Sequence, residues 1–223
     1  MRLVHERASR SPIASREGAA YVEFLLAFMP LFVLFLGIVQ VSLLFAADLV
    51  VKHAAYRATR AAIVVLDDDP RYYRGEDRNA LDGRHATRAD VVYQLSRGGV
   101  GVQSGEIPQV VGSGPAPSRR ASIELAAALV LLPLAPRDGD SVADAIGSEG
   151  LQSAIDETLA RLDVDFVRRP SPSYRDAEPI TVRVRYRFAC RVPLVRALVC
   201  DQGGRWLVGE DTLPNQRARL EYR

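Results

Sequence analysis

Three places in this chain carry groups whose type and spacing could do chemistry. Glu23 stands at the lip of an apolar run from Phe24 to Ala47, in which only Gln40 and Ser42 are polar. An ionised carboxylate at membrane depth is costly, so by default it marks a functional site. The plainer alternative puts Glu23 in the headgroup zone, where its cost is small. Gly18 lies five positions earlier, and the stretch reads Gly18-Ala19-Ala20-Tyr21-Val22-Glu23-Phe24. Far downstream, Cys190 and Cys200 are the only cysteines. An even pair in an extracytoplasmic domain reads as a structural disulfide, with free buried thiols as the alternative.

Other chemistry finds little support. The cysteine spacing is not Cys-x-x-Cys, which argues against a redox role. Two cysteines cannot hold zinc alone, and His5, His53 and His85 lie far off in sequence. There is no Gly-rich phosphate loop, no His-Glu-x-x-His and no Gly-x-Ser-x-Gly. The acidic cluster Asp67, Asp68, Asp69, Glu76 and Asp77 lacks the order of a calcium loop and reads as a solvated helix end. The net charge is only +2, and Lys52 is the one lysine among the basic residues. No basic helix face or nucleic-acid motif accompanies the arginines. The expectation is a protein that is not an enzyme and needs no cofactor, metal or nucleic acid.

The element that must position Glu23 is the apolar run itself. Its 24 residues would form a helix of roughly 36 Å, enough to cross a bilayer core of about 30 Å with some tilt. Before it, residues 1–17 carry Arg2, Arg7, Arg10 and Arg16 against Glu6 and Glu17. A secretory signal has its apolar region before the cleavage site. Here the order is reversed, so a cut at Gly18 would leave the apolar helix on the mature chain.

With leader, glycine, glutamate and aromatic in this order, residues 16–66 resemble the prepilins of type IV pili. The closer likeness is to TadE-type pseudopilins of the tight-adherence (Tad, type IVc) pilus. The family pattern is Gly, four residues, Glu and an aromatic, met here by Gly18, Glu23 and Phe24, with Pro30 further along. Tyr is common after the Glu, so Phe24 is a mild departure. The resemblance implies a prepilin peptidase that cuts between Gly18 and Ala19 on the cytoplasmic face. It implies further that the new Ala19 amine and the Glu23 carboxylate, one helical turn apart, pair and hold subunits in register. The partners implied are the peptidase, other pilins and pseudopilins, Tad inner-membrane assembly proteins and membrane lipid.

Orientation follows weakly from charge, because Lys52, Arg57 and Arg60 after the run nearly balance the leader. The cysteine pair argues better, placing the C-terminal domain in a bacterial periplasm. The expected location is the inner membrane, single-pass, with the N-terminus cytoplasmic and an extracellular pilus open to the processed chain.

Beyond the run, Ala54, Ala55, Ala58, Ala61 and Ala62 continue a strong helix-forming pattern to Leu66, and Asp67-Asp68-Asp69-Pro70 breaks it. Small residues on this outer half suit packing against other helices. A plain spacer is the alternative. Pro30 and Gly37 are candidate kinks or close contacts. A short helix is expected over 79–96, with Leu81, Val91, Val92 and Leu95 inward. Residues 97–120 read as loop with one or two short strands among Val100, Val102, Ile107, Val110 and Val111. The apolar run 126–135 is too short to span a bilayer and reads as core. A helix from Asp144 to Leu162 shows the stripe Leu151, Ile155, Leu159, Leu162.

Thr181 to Val192 alternates strictly. Val182, Val184, Tyr186, Phe188, Cys190 and Val192 fall on one face, Thr181, Arg183, Arg185, Arg187 and Arg191 on the other. Acids on neighbouring strands would solvate that arginine face. Asp163–Val167 and Arg217–Arg223 look like further strands. The fold class expected is α+β: a long N-terminal helix, membrane half plus periplasmic half, then a small domain with helices and an antiparallel sheet. The organisation is a leader over 1–18, helix over 19–66, polar connector over 67–120 and α+β domain over 121–223. The function expected is a minor pilin or pseudopilin acting in Tad pilus biogenesis. The alternative is an uncleaved bitopic protein whose domain binds a secretion partner or the cell envelope.

Overall fold

The computed structural model describes residues 14–81, 83–97, 117–136, 148–167, 179–190, 192, 200–201 and 204–214. The leader before Ala14, the expected strands over 100–111 and 217–223, and Arg191 lie outside them. The side chain of Leu95 is likewise outside.

Helix α1 runs from Ala14 to Asp67 without a break, 54 residues and roughly 80 Å long. Pro30 sits inside it. Proline has no N–H for the carbonyl four residues back, a defect that membrane helices tolerate where neighbouring groups re-satisfy it. The helix stops where the aspartate run and Pro70 forbid its continuation. Asp69 then caps a short 3-10 turn, Pro70–Tyr72, by accepting from the Arg71 N–H.

Beyond it α2 spans Arg88–Arg97, α3 Arg119–Leu131 and α4 Ser148–Arg161. Helix α2 begins nine residues later than the apolar spacing predicts. Thr87 and Asp90 decide its start: the Asp90 carboxylate accepts from the Thr87 N–H at 2.9 Å and the Thr87 hydroxyl at 2.6 Å. The bond from the Thr87 N–H back to Asp90 is one half of a capping box, legible as Thr-x-x-Asp. Helix α3, with Ser118 as N-cap, takes the first part of the second apolar run, and a 3-10 turn, Leu132–Leu134, takes most of the rest. Helix α4 ends at Arg161, so Leu162 leaves the predicted stripe and opens a strand. The remaining stripe holds: Ile155 joins Val91 and Leu125 in a small core, with Leu151 and Leu159 against it.

Strands β1 (Leu162–Phe166), β2 (Pro179–Phe188) and β3 (Arg205–Pro214) form an antiparallel sheet in the order β1-β2-β3. The chain is thus α+β, a long N-terminal helix followed by a small domain with helices and an antiparallel sheet. On β2 the predicted alternation is observed. Val182, Val184, Tyr186 and Phe188 are buried, and Arg183 and Arg185 pair with Glu210, Asp163 and Asp165 of the flanking strands. Thr181 is buried rather than solvated, sharing a hydrogen bond with Thr212 across the register at 2.9 Å. Strand β3 has no counterpart in the sequence expectation.

The sheet's inner face packs on α1, and so does α3. Ala47, Ala54, Ala55, Ala58 and Ala62 are fully buried in this one core. This corrects the expectation that the outer alanines serve packing against other helices. Their small side chains let the chain's own sheet approach the helix. Gly209 shows how closely: a Cβ there would stand 2.6 Å from the Val51 carbonyl oxygen and 2.9 Å from the Lys52 Cα.

Arg119 closes the far end of α1. It is wholly buried, and its guanidinium donates to the carbonyls of Val65, Asp68 (3.0 Å), Glu76 (3.2 Å) and Asp77 (3.0 Å). The last carbonyls of a helix carry partial negative charge and lack intrahelical partners. A planar cation with five donors meets both needs. The Tyr73 ring lies 4.6 Å below the guanidinium carbon, and the Tyr73 hydroxyl donates to Asp68 at 3.0 Å. Burial pulls the Arg119 pKa below its ordinary value, opposed by Tyr73, Glu76 and Asp68.

Candidate functional site

Gly18, Ala19, Glu23 and Phe24 all lie on α1, whose backbone is helical through the Gly18–Ala19 bond. A helix-interior glycine costs about 1 kcal/mol relative to alanine, which makes this turn the easiest of its neighbourhood to open. Ala19 and Glu23 are four positions apart and therefore share a face. Glu23 is exposed, as is Phe24. Phe24 begins a ladder of rings one turn apart: Phe24 stacks on Phe28 at 5.4 Å and Phe28 on Phe32 at 5.6 Å.

No residue from Tyr21 to Val39 is buried, and Gln40 is the first that is. The bare stretch is 19 residues, roughly 28 Å of helix, close to a hydrocarbon core. The helix from Tyr21 to Asp67 contains an 18-residue window of mean hydropathy 2.5, none of it buried. One N-terminal helix is therefore long and apolar enough to cross a membrane. Within it, Val22, Leu26, Met29 and Val33 line a shallow apolar depression at Pro30. At Gly37 an added Cβ would meet nothing within 4 Å.

The two polar residues of the run are used differently. Ser42 returns its hydroxyl to the Ile38 carbonyl at 2.9 Å, the local solution open to serine in an apolar helix. Gln40 reaches across the fold. Its Oε1 accepts from the Val192 N–H at 3.2 Å, 152 positions away. That bond fixes where the domain first touches α1. Just before Val192, Cys190 is bonded to Cys200, with Cα atoms 6.5 Å apart. The disulfide and Gln40 together secure the same end of the domain.

The remaining polar clusters are structural in their bonding. Glu124 accepts from His85 Nδ1, the Ala86 N–H and Arg120 Nε at 2.7–2.9 Å, tying the loop before α2 to α3. Asp90 receives Arg84 through both oxygens at 2.5 and 2.6 Å. Burial pushes the Asp90 carboxyl up, but Arg84 and Thr87 hold it below its ordinary value. A cavity of about 140 Å³ beside His85 and Glu124 is floored by Leu159, Leu162 and Val164. Among the described residues no cluster of His, Cys, Asp and Glu has the makings of a metal site.

With the bare helix and its glutamate in place, one comparison finds a likeness for this part of the chain. Residues 18–60 match the family model described as TadE-like protein. Over these residues, and these alone, the chain is similar to that family. The match begins at Gly18 and ends inside the part of α1 that the domain covers. No curated protein and no solved structure matches the chain.

Sequence reasoning named Gly18, Ala19, Glu23 and Phe24, which the structure places on one helix, and the cysteines, which it joins. It passed over Gln40, Gly209 and Arg119, which decide how the domain sits on the TadE-like helix. Only Gln40 left a signal, as a polar residue out of place in an apolar run.

Proposed function

We propose that this TadE-like chain is a minor pilin or pseudopilin of a Tad-type pilus. A prepilin peptidase cuts it between Gly18 and Ala19 at the cytoplasmic face of the inner membrane. The bare half of α1 then leaves the lipid and packs among the helices of other pilins, with the Tad inner-membrane assembly proteins driving the transfer. The domain lies in the periplasm, where the Cys190–Cys200 bond is chemically at home. The observation that carries the reading is the junction itself: Gly18 and Glu23 stand directly before a helix in which, among the described residues, none from Tyr21 to Val39 is buried. A carboxylate at that depth has a reason to be there if the Ala19 amine, freed by cleavage, neutralises it within one turn.

The test is mass spectrometry of the N-terminus of the protein in its own membranes, with pilus output measured in parallel. A mature chain that starts at Ala19 supports the reading. An intact chain that starts at Met1 supports instead the uncleaved anchor, whose domain would bind a secretion partner or the envelope. Gly18→Ala is expected to block processing. Glu23→Ala is expected to permit cutting yet lower pilus output. Normal output from both variants contradicts the proposal.

A further inference from the structure

Trp206 is the only tryptophan in the chain, and it is 53% exposed. Its neighbour on the outer face of β3, Val208, is 47% exposed. Both point away from α1, since Leu207 and Gly209 between them face the helix. Arg205 beside them is exposed too, and the Arg187 guanidinium sits 5.9 Å from the Trp206 ring centre. The exposed tryptophan and valine, with arginines beside them, make a small apolar patch with cations at its rim.

The height of this patch above the bare helix follows from three contacts. Gly209 lies against Val51, and Asp211 accepts from the Thr59 hydroxyl at 3.3 Å, so β3 climbs α1 in the same direction. Residues before Gly209 are therefore nearer the bare stretch. Arg205 pairs with Phe188, and a few residues on Val192 donates to Gln40. Among the described residues, Val192 and the Trp206 edge thus form the end of the domain nearest the bare helix. From Glu23 to Gln40 is 17 residues, about 25 Å of helix, against a hydrocarbon core of about 30 Å. With Glu23 at one boundary, the other falls near Leu43, so this edge cannot stand far above the lipid.

We infer that the Trp206 edge of the sheet rests in the headgroup layer of the same bilayer that α1 spans. The inference rests on the membrane-spanning reading of α1. Indole rings concentrate at that depth because one side is apolar and the N–H is polar. Arg187 and Arg205 would reach anionic headgroups from the same strand ends. The contact gives the domain one orientation relative to the membrane, with the Arg205 end of β3 against lipid. That orientation is lost when the helix is drawn out of the bilayer.

The single tryptophan makes the test direct. The full-length protein is reconstituted into phosphatidylcholine–phosphatidylglycerol vesicles whose phosphatidylcholine is brominated either high on the acyl chain or near its end. Vesicle flotation after an alkaline wash reports whether α1 has inserted. Shallow bromines are expected to quench most of the emission and deep bromines little, with aqueous iodide losing access relative to the detergent-solubilised protein. Val208→Glu is expected to restore iodide access while flotation is unchanged. Protein that floats but is quenched by iodide and not by bromolipid overturns this inference and leaves the spanning helix intact. Stronger quenching by deep bromines overturns the headgroup placement. Protein that fails to float overturns both readings.

Discussion

Replacing Arg119 tests the structural reading most sharply. The guanidinium donates to four backbone carbonyls, of Val65, Asp68, Glu76 and Asp77, and lies over Tyr73. Arg119→Met keeps much of the volume and removes every donor. Each charge-assisted bond contributes about 1.5–3 kcal/mol net, but four such terms do not add, because water entering the vacated space recovers part of the loss. Breaking a buried charged cluster by removing one partner costs about 3–5 kcal/mol, and that is the expected loss. For a chain of 223 residues this lowers Tm by roughly 6–20 °C, at about 2–4 °C per kcal/mol. Arg119→Lys should fall between, since a point charge cannot bond four carbonyls arranged around a plane. Near-UV circular dichroism of the detergent-solubilised protein reads the packed domain without contribution from α1 helicity. An Arg119→Met protein melting within about 2 °C of the parent would refute the claim that this cation holds the end of α1 and the loop beyond it.

Gly209→Val should dislodge β3 from α1, because the new side chain meets the Val51 and Lys52 backbone, which cannot rotate away. A loss of about 1–3 kcal/mol or more is expected by denaturant unfolding, and Gly209→Ala should already show part of it. Removing the disulfide with Cys190→Ser and Cys200→Ser should cost about 2–3 kcal/mol by loop-closure entropy, and protease nicking between positions 190 and 200 reports it. Tyr73 gives a pH prediction. Burial pushes its hydroxyl up to about 12, helped by the bond to Asp68 and opposed by Arg119. A raised folded pKa means the stabilisation is complete below the unfolded value near 10 and is lost as pH climbs towards 12. Ultraviolet titration of phenolate should show one tyrosine ionising late, together with unfolding, and Tyr73→Phe should remove that late step.

Local patterns were enough wherever the physics is local. The bare helix, its stop at Asp67 and the buried face of β2 follow from residue type and period alone, because each residue's environment is set by neighbours within a turn or a pleat. The capping of α2 by Thr87 and Asp90 belongs to the same class, though the apolar spacing pointed elsewhere. Strand β3 was missed because its inner face reads Leu207, Gly209, Asp211 and Leu213. The glycine that spoils the alternation is the residue the helix contact demands.

Other features are settled only by groups far apart in the chain. Gln40 meets Val192 and Thr59 meets Asp211, each across 152 positions. Those contacts turn an alanine-rich helix, which by composition could pack on anything, into the core of its own domain. They also set where the bare helix ends and the covered helix begins. The amino-acid order by itself determined that a greasy rod with one carboxylate stands at the front of this protein, because hydrophobicity is a property of each residue in turn. Only the tertiary structure decided how much of the rod stays uncovered and which end of the sheet lies nearest the uncovered part, because those depend on where a sheet drawn from the far end of the chain comes to rest.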